Sequence, residues 1–257
     1  LWGCGDNSYG QLGLGDKTSR NTFTKITDDV KLAYCGFYFT IILKNDDTLW
    51  GCGDNSGGQL GLGDRSNRTA FTKITTNTND IKSVYCGNSY TIMLKNDGTL
   101  WGCGINGSGE LGLGDTNIKT IFTIIDSNPG NIKSIYCGGS YTLILQNNGT
   151  LWGCGNNGYG QLGLGDTNSR YIFTKITDDI KSVNCGFDNT IILKNDGTLW
   201  GCGHNNYGGL GLGDKNGRNT FTQIITNTDH VKSIYCGNDY TIILKNDGTL
   251  WGCGSNG

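Results

Sequence analysis

With 257 residues, a formal net charge of −2 and only 16% charged side chains, the chain lacks the basic excess of a duplex nucleic-acid binder. It also lacks the ~18-residue apolar run of a membrane-spanning helix, so no nucleic-acid partner and no membrane span are expected. Two Ala and one Pro among many Asn, Ile, Thr and Lys point to an AT-rich source genome. No signal peptide is visible. The chain opens in mid-motif at Leu1 without a Met, and a longer parent product is expected.

A repeat governs the whole chain. The pattern LWGCGxNxxGQLGLGD starts at Leu1, Leu49, Leu100, Leu151 and Leu199 and, cut short, at Leu250, with spacings of 48 or 51 residues. No composition shift or linker interrupts it, so residues 1–257 read as one repeat domain. Within residues 81–131 the elements follow in order. Residues 81–86 and 90–95 are short strands rich in β-branched and aromatic side chains. Asp97-Gly98 is a hairpin signal, read here as a two-residue turn that sets Cys103 opposite Ile92. A third strand covers residues 99–103, a glycine-rich stretch runs to Gly114-Asp115, and a fourth strand is expected at residues 122–125. Repeat one carries Asp46-Asp47 in place of the Asp-Gly turn, a weaker signal. Such short runs are too brief for useful helices. Four antiparallel strands per unit cannot bury both sheet faces alone, and radial stacking of units gives a β-propeller. All variation in period falls between the Phe-Thr strand and the next Cys-Gly, with extra residues at 75–80, 126–131 and 225–230. A single variable loop belongs on the surface.

The motifs Gly87-x-x-Tyr90-Thr91, Asp97-Gly98, Trp101-Gly102-x-Gly104-x-Asn106 and Glu110-Leu111-Gly112-Leu113-Gly114 resemble the regulator of chromosome condensation repeat family. The resemblance implies an all-β propeller of four-stranded blades, seven in a complete protein, of which five repeats are present here. It also implies protein recognition as the common activity. The family's founding member exchanges nucleotide on a small GTPase through an inserted β-wedge, and another branch inhibits β-lactamases. No repeat here has an insertion beyond three residues, so exchange activity is not carried over. The family His is replaced by Phe39, Tyr90, Tyr141, Asn189 and Tyr240, and the Pro before the fourth strand is absent.

Chemistry is sparse. Eleven Cys recur strictly, six after Trp-Gly and five before Gly, with no Cys-x-x-Cys pair. They read as small buried blade residues with free thiols, and an unpaired periodic set favours an intracellular setting. With two His and no clustered ligands, no metal site is expected. The glycine-rich stretch is not a dinucleotide fingerprint, since no helix follows it, and no cofactor is expected. Asp16/Arg20 and its copies read as loop clamps, and Lys31, Lys82, Lys133, Lys181 and Lys232 as a solvated periodic set. No catalytic residue stands apart from the repeated background, so the chain is read as a non-enzyme.

The informative residues break the repeat. Phe37, Tyr38, Phe187 and Asp188 follow Cys-Gly, whereas Ile105 and His204 follow Trp-Gly-Cys-Gly. These six are the candidate partner-binding residues, on loops of one propeller face. Tyr9, Tyr159 and Tyr207 punctuate the next turn. The leading reading is a scaffold that binds a protein partner. An exchange factor or enzyme inhibitor acting by surface binding is the first alternative, and a structural surface or coat component the second.

Overall fold

The computed structural model describes residues 1–225 and 229–255. Residues 226–228, part of the third variable loop, lie outside the described residues. The chain divides into two compact units: residues 1–107 with 115–128, and residues 108–114 with 129–257.

In the first unit, β1 (Trp2–Gly5) pairs with β2 (Arg20–Lys25). Two four-stranded blades follow. One comprises β3 (Val30–Cys35), β4 (Phe39–Lys44), β5 (Leu49–Gly53) and β6 (Arg68–Ile74). The other comprises β7 (Ile81–Cys86), β8 (Tyr90–Lys95), β9 (Leu100–Gly104) and β10 (Lys119–Ile124). In the second unit, β11 (Ile132–Cys137), β12 (Tyr141–Gln146), β13 (Leu151–Gly155) and β14 (Arg170–Thr177) form one blade. The next holds β15 (Ile180–Cys185), β16 (Asn189–Lys194), β17 (Leu199–Gly203) and β18 (Arg218–Ile224). A three-stranded sheet of β19 (Val231–Cys236), β20 (Tyr240–Lys245) and β21 (Leu250–Gly254) completes the described residues. Every pairing is antiparallel and sequential, as short strands joined by tight turns require.

The hairpin turn differs from the sequence reading. Leu94 faces Leu100 and Cys103 faces Thr91, one residue out of the expected register. The loop is three residues long, Asn96 to Gly98, closed by Lys95 N donating to Thr99 O and Gly98 N donating to Lys95 O. Gly98 takes φ +85° after a tight turn, the usual geometry of a three-residue hairpin loop. Asp47 adopts the same left-handed conformation, at φ 61°, in the repeat that lacks this glycine. The fourth strand also starts earlier than expected, because Lys119 already pairs with Gly104 ahead of a register shift before Thr123.

In the four-stranded blades burial is greatest in the second and third strands. All six residues of β8 and of β12 are buried, because both faces of these strands are covered. In the first unit Phe39, Ile41, Leu49, Leu60, Met93, Cys103 and Phe122 share one core; Tyr141, Leu143, Leu151, Leu162, Ile180 and Ile192 do so in the second.

Within each unit the glycine-rich stretches lock onto a blade. Thr40 Oγ1 donates to Gln11 O at 2.8 Å and Cys52 Sγ to the same oxygen at 3.4 Å. Thr91 and Cys103 treat Gln59 O alike, at 2.7 and 3.4 Å. In the second unit Glu110, Gln161 and Gly209 supply the carbonyl for Thr142/Cys154, Thr190/Cys202 and Thr241/Cys253. The cysteine after Trp-Gly is therefore both a small packing group and a weak donor.

No thiol is bonded to another. Cys86 and Cys103 flank Thr91 on either side, two strand spacings apart at about 9.6 Å, too far for a disulfide. The expectation of mostly buried thiols needs correction. Cys52, Cys103, Cys154 and Cys202 are buried, five others are half-buried, and Cys4 and Cys35 are exposed. The difference is positional: Cys35, Cys86, Cys137, Cys185 and Cys236 sit on the first, edge strand of their sheets, and Cys4 and Cys253 on strands of the two- and three-stranded sheets.

Candidate functional site

The two variable loops of each repeat are tied together at one end of the blade. Beyond the last strand pair, Asp54 N donates to Tyr38 O at 2.8 Å, Ile105 N to Ser89 O at 2.9 Å, and His204 N to Asp188 O at 2.8 Å. The register of the second and third strands fixes this geometry, since Phe39 faces Gly53 and Asn189 faces Gly203 just before the loops diverge. In the blade of β15–β18 this sets Asp188 beside His204, whereas Tyr38 is tied to Asp54 and Ile105 to Ser89.

A conserved-geometry turn supports the loops in each copy. Asn7 donates through Nδ2 to Asp16 O, and its Oδ1 accepts from Leu12 N. Asn55, Asn157 and Asn205 do the same with Asp64, Asp166 and Asp214. Each Asp also pairs with a cation four residues on, as in Asp16–Arg20 at 2.7 Å and Asp115–Lys119 at 2.8 Å. The Arg20 guanidinium beside Asp16 holds its carboxyl below the usual carboxylate range. Such exposed pairs contribute about 0–1 kcal/mol each and serve here to shape loops.

In the first unit, Phe37 and Tyr38 meet Tyr9. The Tyr9 and Tyr38 rings stack with centroids 4.6 Å apart, and Phe37 packs edge-on to Tyr38 at 4.4 Å. Phe37 is 55% exposed, unusual for so large an apolar group. Ile105 joins neither ring. It lies over Gly57, where an added Cβ would come 2.5 Å from its Cγ1.

In the second unit, Phe187, Asp188 and His204 converge with three further residues, Tyr159, Tyr207 and Asp239, around an open depression of about 340 Å³. The His204 ring stands 5.1 Å from Tyr159 and 6.2 Å from Tyr207, and its Nδ1 lies 3.3 Å from Asp239 Oδ1. Gln161 donates through Nε2 to Asp188 Oδ1 at 3.1 Å. In repeats one and two the equivalent Gln11 and Gln59 bond to Asp6 and Asp54 instead. Asn156 replaces that Asp in repeat four, which frees Gln161 to reach the next blade. Burial pushes the Asp188 carboxyl up from its ordinary value; His204 opposes this and Asp239 adds to it. The cluster offers aromatic walls and two carboxylates, a chemistry suited to a partner's apolar or basic side chains.

Tyr159 and Tyr207 stand out in the sequence as turn aromatics and Asp239 as part of a variable segment after Cys-Gly, but none of the three is among the six candidate residues. The signal available for the tyrosines was their presence in only three of five copies. Among the described residues, no group of three His, Cys, Asp or Glu side chains is placed to hold a metal ion. Nor is any helix there long and apolar enough to cross a membrane.

Two family models of the Regulator of chromosome condensation (RCC1) repeat match the sequence. One matches residues 1–43, 46–94, 97–145, 148–193 and 196–244, and the other residues 30–59, 81–110, 132–161 and 180–208. Secretion-regulating guanine nucleotide exchange factor of Bos taurus is 28% identical over 165 residues, covering 64% of this chain and 26% of that protein. Ultraviolet-B receptor UVR8 of Arabidopsis thaliana is 35% identical over 98 residues, covering 38% of this chain and 22% of the receptor. The chain thus spans about a quarter of the length of these curated relatives. Among solved structures, human WBSCR16 aligns with a TM-score of 0.84 at 23% identity, covering 99% of this chain and 71% of that one. The crystal structure of Kap60 bound to yeast RCC1 (Prp20) contains a chain that aligns with a TM-score of 0.87 at 19% identity, with 99% and 64% covered. These likenesses show the fold class, an all-β propeller of four-stranded blades.

Proposed function

The chain belongs to the regulator of chromosome condensation repeat family, and from that premise we propose that it is a non-enzymatic protein-binding module. Its working surface is the set of loops after Cys-Gly and after Trp-Gly-Cys-Gly. One observation carries the reading. The residues that depart from the repeat, Ile105 excepted, gather beside one another, as Tyr9, Phe37 and Tyr38 in the first unit and as Tyr159, Phe187, Asp188, His204, Tyr207 and Asp239 in the second. The near-identical Gly-Leu-Gly-Asp stretches are occupied in holding blades together and carry no information that could select a partner.

Part-exposed aromatic groups are the usual anchors of protein interfaces. Truncating a central anchor costs about 2 kcal/mol or more, roughly thirtyfold in affinity. The doubly substituted Phe37→Ala, Phe187→Ala chain should lose partner pull-down while keeping its circular dichroism spectrum and melting temperature. Retained binding in that variant, with loss in a Lys82→Glu, Lys133→Glu, Lys181→Glu chain, would move the recognition surface to the exposed lysines and overturn the assignment.

The names of relatives favour a second reading, regulation of a small GTPase. Guanine nucleotide exchange factor stands in the name of the bovine relative, and X-linked retinitis pigmentosa GTPase regulator of Homo sapiens is 33% identical over 93 residues, 36% of this chain and 9% of that protein. Accelerated release of a labelled guanine nucleotide from a purified GTPase would establish it.

A further inference from the structure

The depression of the second unit holds carboxylates that the fold uses sparingly. In repeats one and two the loop after Trp-Gly-Cys-Gly carries an acid, Asp6 or Asp54, and the chain satisfies it. Asp54 accepts from Ser56 N at 3.1 Å, Ser56 Oγ at 3.0 Å and Gln59 Nε2 at 2.8 Å. Asp6 accepts from Ser8 and Gln11 in the same way. Repeats four and five have Asn156 and His204 in place of that acid and carry one in the other loop instead, Asp188 and Asp239. These two are served less fully. Asp188 accepts one hydrogen bond, from Gln161 Nε2 through Oδ1, and Asp239 Oδ1 meets His204 Nδ1 at 3.3 Å.

Compensating charge is also missing at the border. Asp16, Asp64, Asp115, Asp166 and Asp214 each hold a cation four residues on, whereas no lysine or arginine lines the depression. Burial raises the Asp188 carboxyl from its ordinary value, and against the pull of His204 the charge of Asp239 adds to the rise. Two like charges thus act on one space, and a cation placed there relieves both.

The walls are aromatic. Tyr159 stands edge-on to His204, with centroids 5.1 Å apart and planes at 73°, and Tyr207 flanks the same ring at 6.2 Å. Tyr159 is 51% exposed, so ring surface is available to an incoming group. An apolar side chain seated here would take water from both carboxylates and replace it with nothing. A lysine would bring a strongly hydrated point charge. A guanidinium brings a plane that stacks on tyrosine and a fork of donors that reaches two carboxylates at once.

We propose that the depression bordered by Tyr159, Phe187, Asp188, His204, Tyr207 and Asp239 is an arginine pocket. It receives one arginine side chain of a protein partner, the guanidinium stacked on a tyrosine ring and bonded to Asp188 and Asp239. Its volume of about 340 Å³ opens to solvent and admits a long side chain from outside. The inference rests on the recognition surface proposed above and names what the second-unit part of that surface selects.

An NMR titration of the 257-residue chain with the peptide acetyl-Gly-Arg-Gly-amide, at constant ionic strength, tests the pocket without the partner. Saturable shifts are expected at the amides of Asp188 and Asp239 and at the Tyr159 ring, with a Kd of about 1 mM or weaker for a single side chain. The citrulline peptide, which keeps the shape and loses the charge, should bind about tenfold more weakly, and the lysine peptide about threefold more weakly. Asp188→Asn should weaken arginine binding about threefold to tenfold, and Tyr159→Leu likewise, whereas Tyr159→Phe keeps the ring and should bind as before. The peptide series needs no variant, so it decides the matter even where a substitution unfolds the chain. Equal binding of the citrulline peptide, equal or tighter binding of the lysine peptide, or no saturable shift at these residues overturns the pocket. Failure of the recognition surface reads differently. If the Phe37→Ala, Phe187→Ala chain keeps its partner while the arginine peptide still titrates Asp188 and Asp239, the surface falls and the pocket stands. If that chain loses its partner and the unsubstituted chain shows no arginine shift, the surface stands and the pocket falls.

Discussion

At the scale of single residues, Glu110 tests how strictly the repeat has been optimised. Gln stands at the matching positions 11, 59 and 161. Glu110 is 2% exposed, and Ser108 N donates to its Oε2 at 2.8 Å. Burial raises its pKa from the ordinary value, with backbone hydrogen bonds opposing. A carboxyl whose folded pKa is raised binds its proton more tightly in the folded state. The folded chain is therefore favoured below the unfolded pKa, about 4.3, and loses that advantage as pH rises through the folded value. Glu110→Gln should raise the melting temperature at pH 8, by several degrees if relief of the buried charge is worth about 1–3 kcal/mol. Near pH 3 the gain should vanish; an equal gain at both pH values would refute buried charge as the cause. The same scale shows what the sequence could disclose about the site. Phe37, Tyr38, Phe187, Asp188 and His204 were visible because they break a strict pattern. Asp239, which holds in the next copy the position of Asp188, was not assigned, because only the fold brings it to His204.

At the scale of elements, strand positions were legible and their register was not. Alternation and β-branched content located the first three strands of each blade within a residue. The turn length escaped, since Asp-Gly serves both two- and three-residue loops and the choice depends on backbone closure from Lys95 to Thr99. The fourth strand was shortened in the reading because Lys119-Thr120-Ile121 carries a register shift that blurs the period. The role of the glycine loops was also hidden: nothing local says that Gly163 will face a Phe 58 residues further along the chain. Substitution can separate the two demands on these glycines. Gly163 and Gly211 share φ +68°, so Ala at either position carries the same left-handed strain, about 1–2 kcal/mol. Only at Gly163 does the methyl also collide with a ring, that of Phe221. Gly163→Ala should therefore destabilise more than Gly211→Ala in urea melts. Equal losses would mean that the Phe contact yields freely and that backbone strain is the whole cost.

At the scale of the whole chain, stability depends on contacts handed from one repeat to the next. A loop carbonyl accepts a Thr hydroxyl and a Cys thiol from the following blade in every copy described. Within each unit such coupling clamps loop to blade, and the unit's stability approximates a sum of repeat and interface terms. The repeat, and with it the blade, was plain from the sequence; the coupling was not, because its acceptor is a backbone oxygen shared by Gln, Glu and Gly alike. The cysteines report on it directly. Burial pushes the thiols of Cys52, Cys103, Cys154 and Cys202 up, away from the reactive thiolate, whereas Cys4 and Cys35 are exposed. Alkylation at pH 8 without reductant, read by mass spectrometry, should label Cys4 and Cys35 first. The half-buried group should follow, with Cys185 and Cys236 late because burial pushes both thiols up. Cys52, Cys103, Cys154 and Cys202 should be labelled only after denaturation, and then together if the clamps act cooperatively. Rapid native labelling of any of these four would show that its loop clamp opens locally. Thiols missing in pairs would instead reveal disulfides and displace the reading of a freely reduced, blade-packed set.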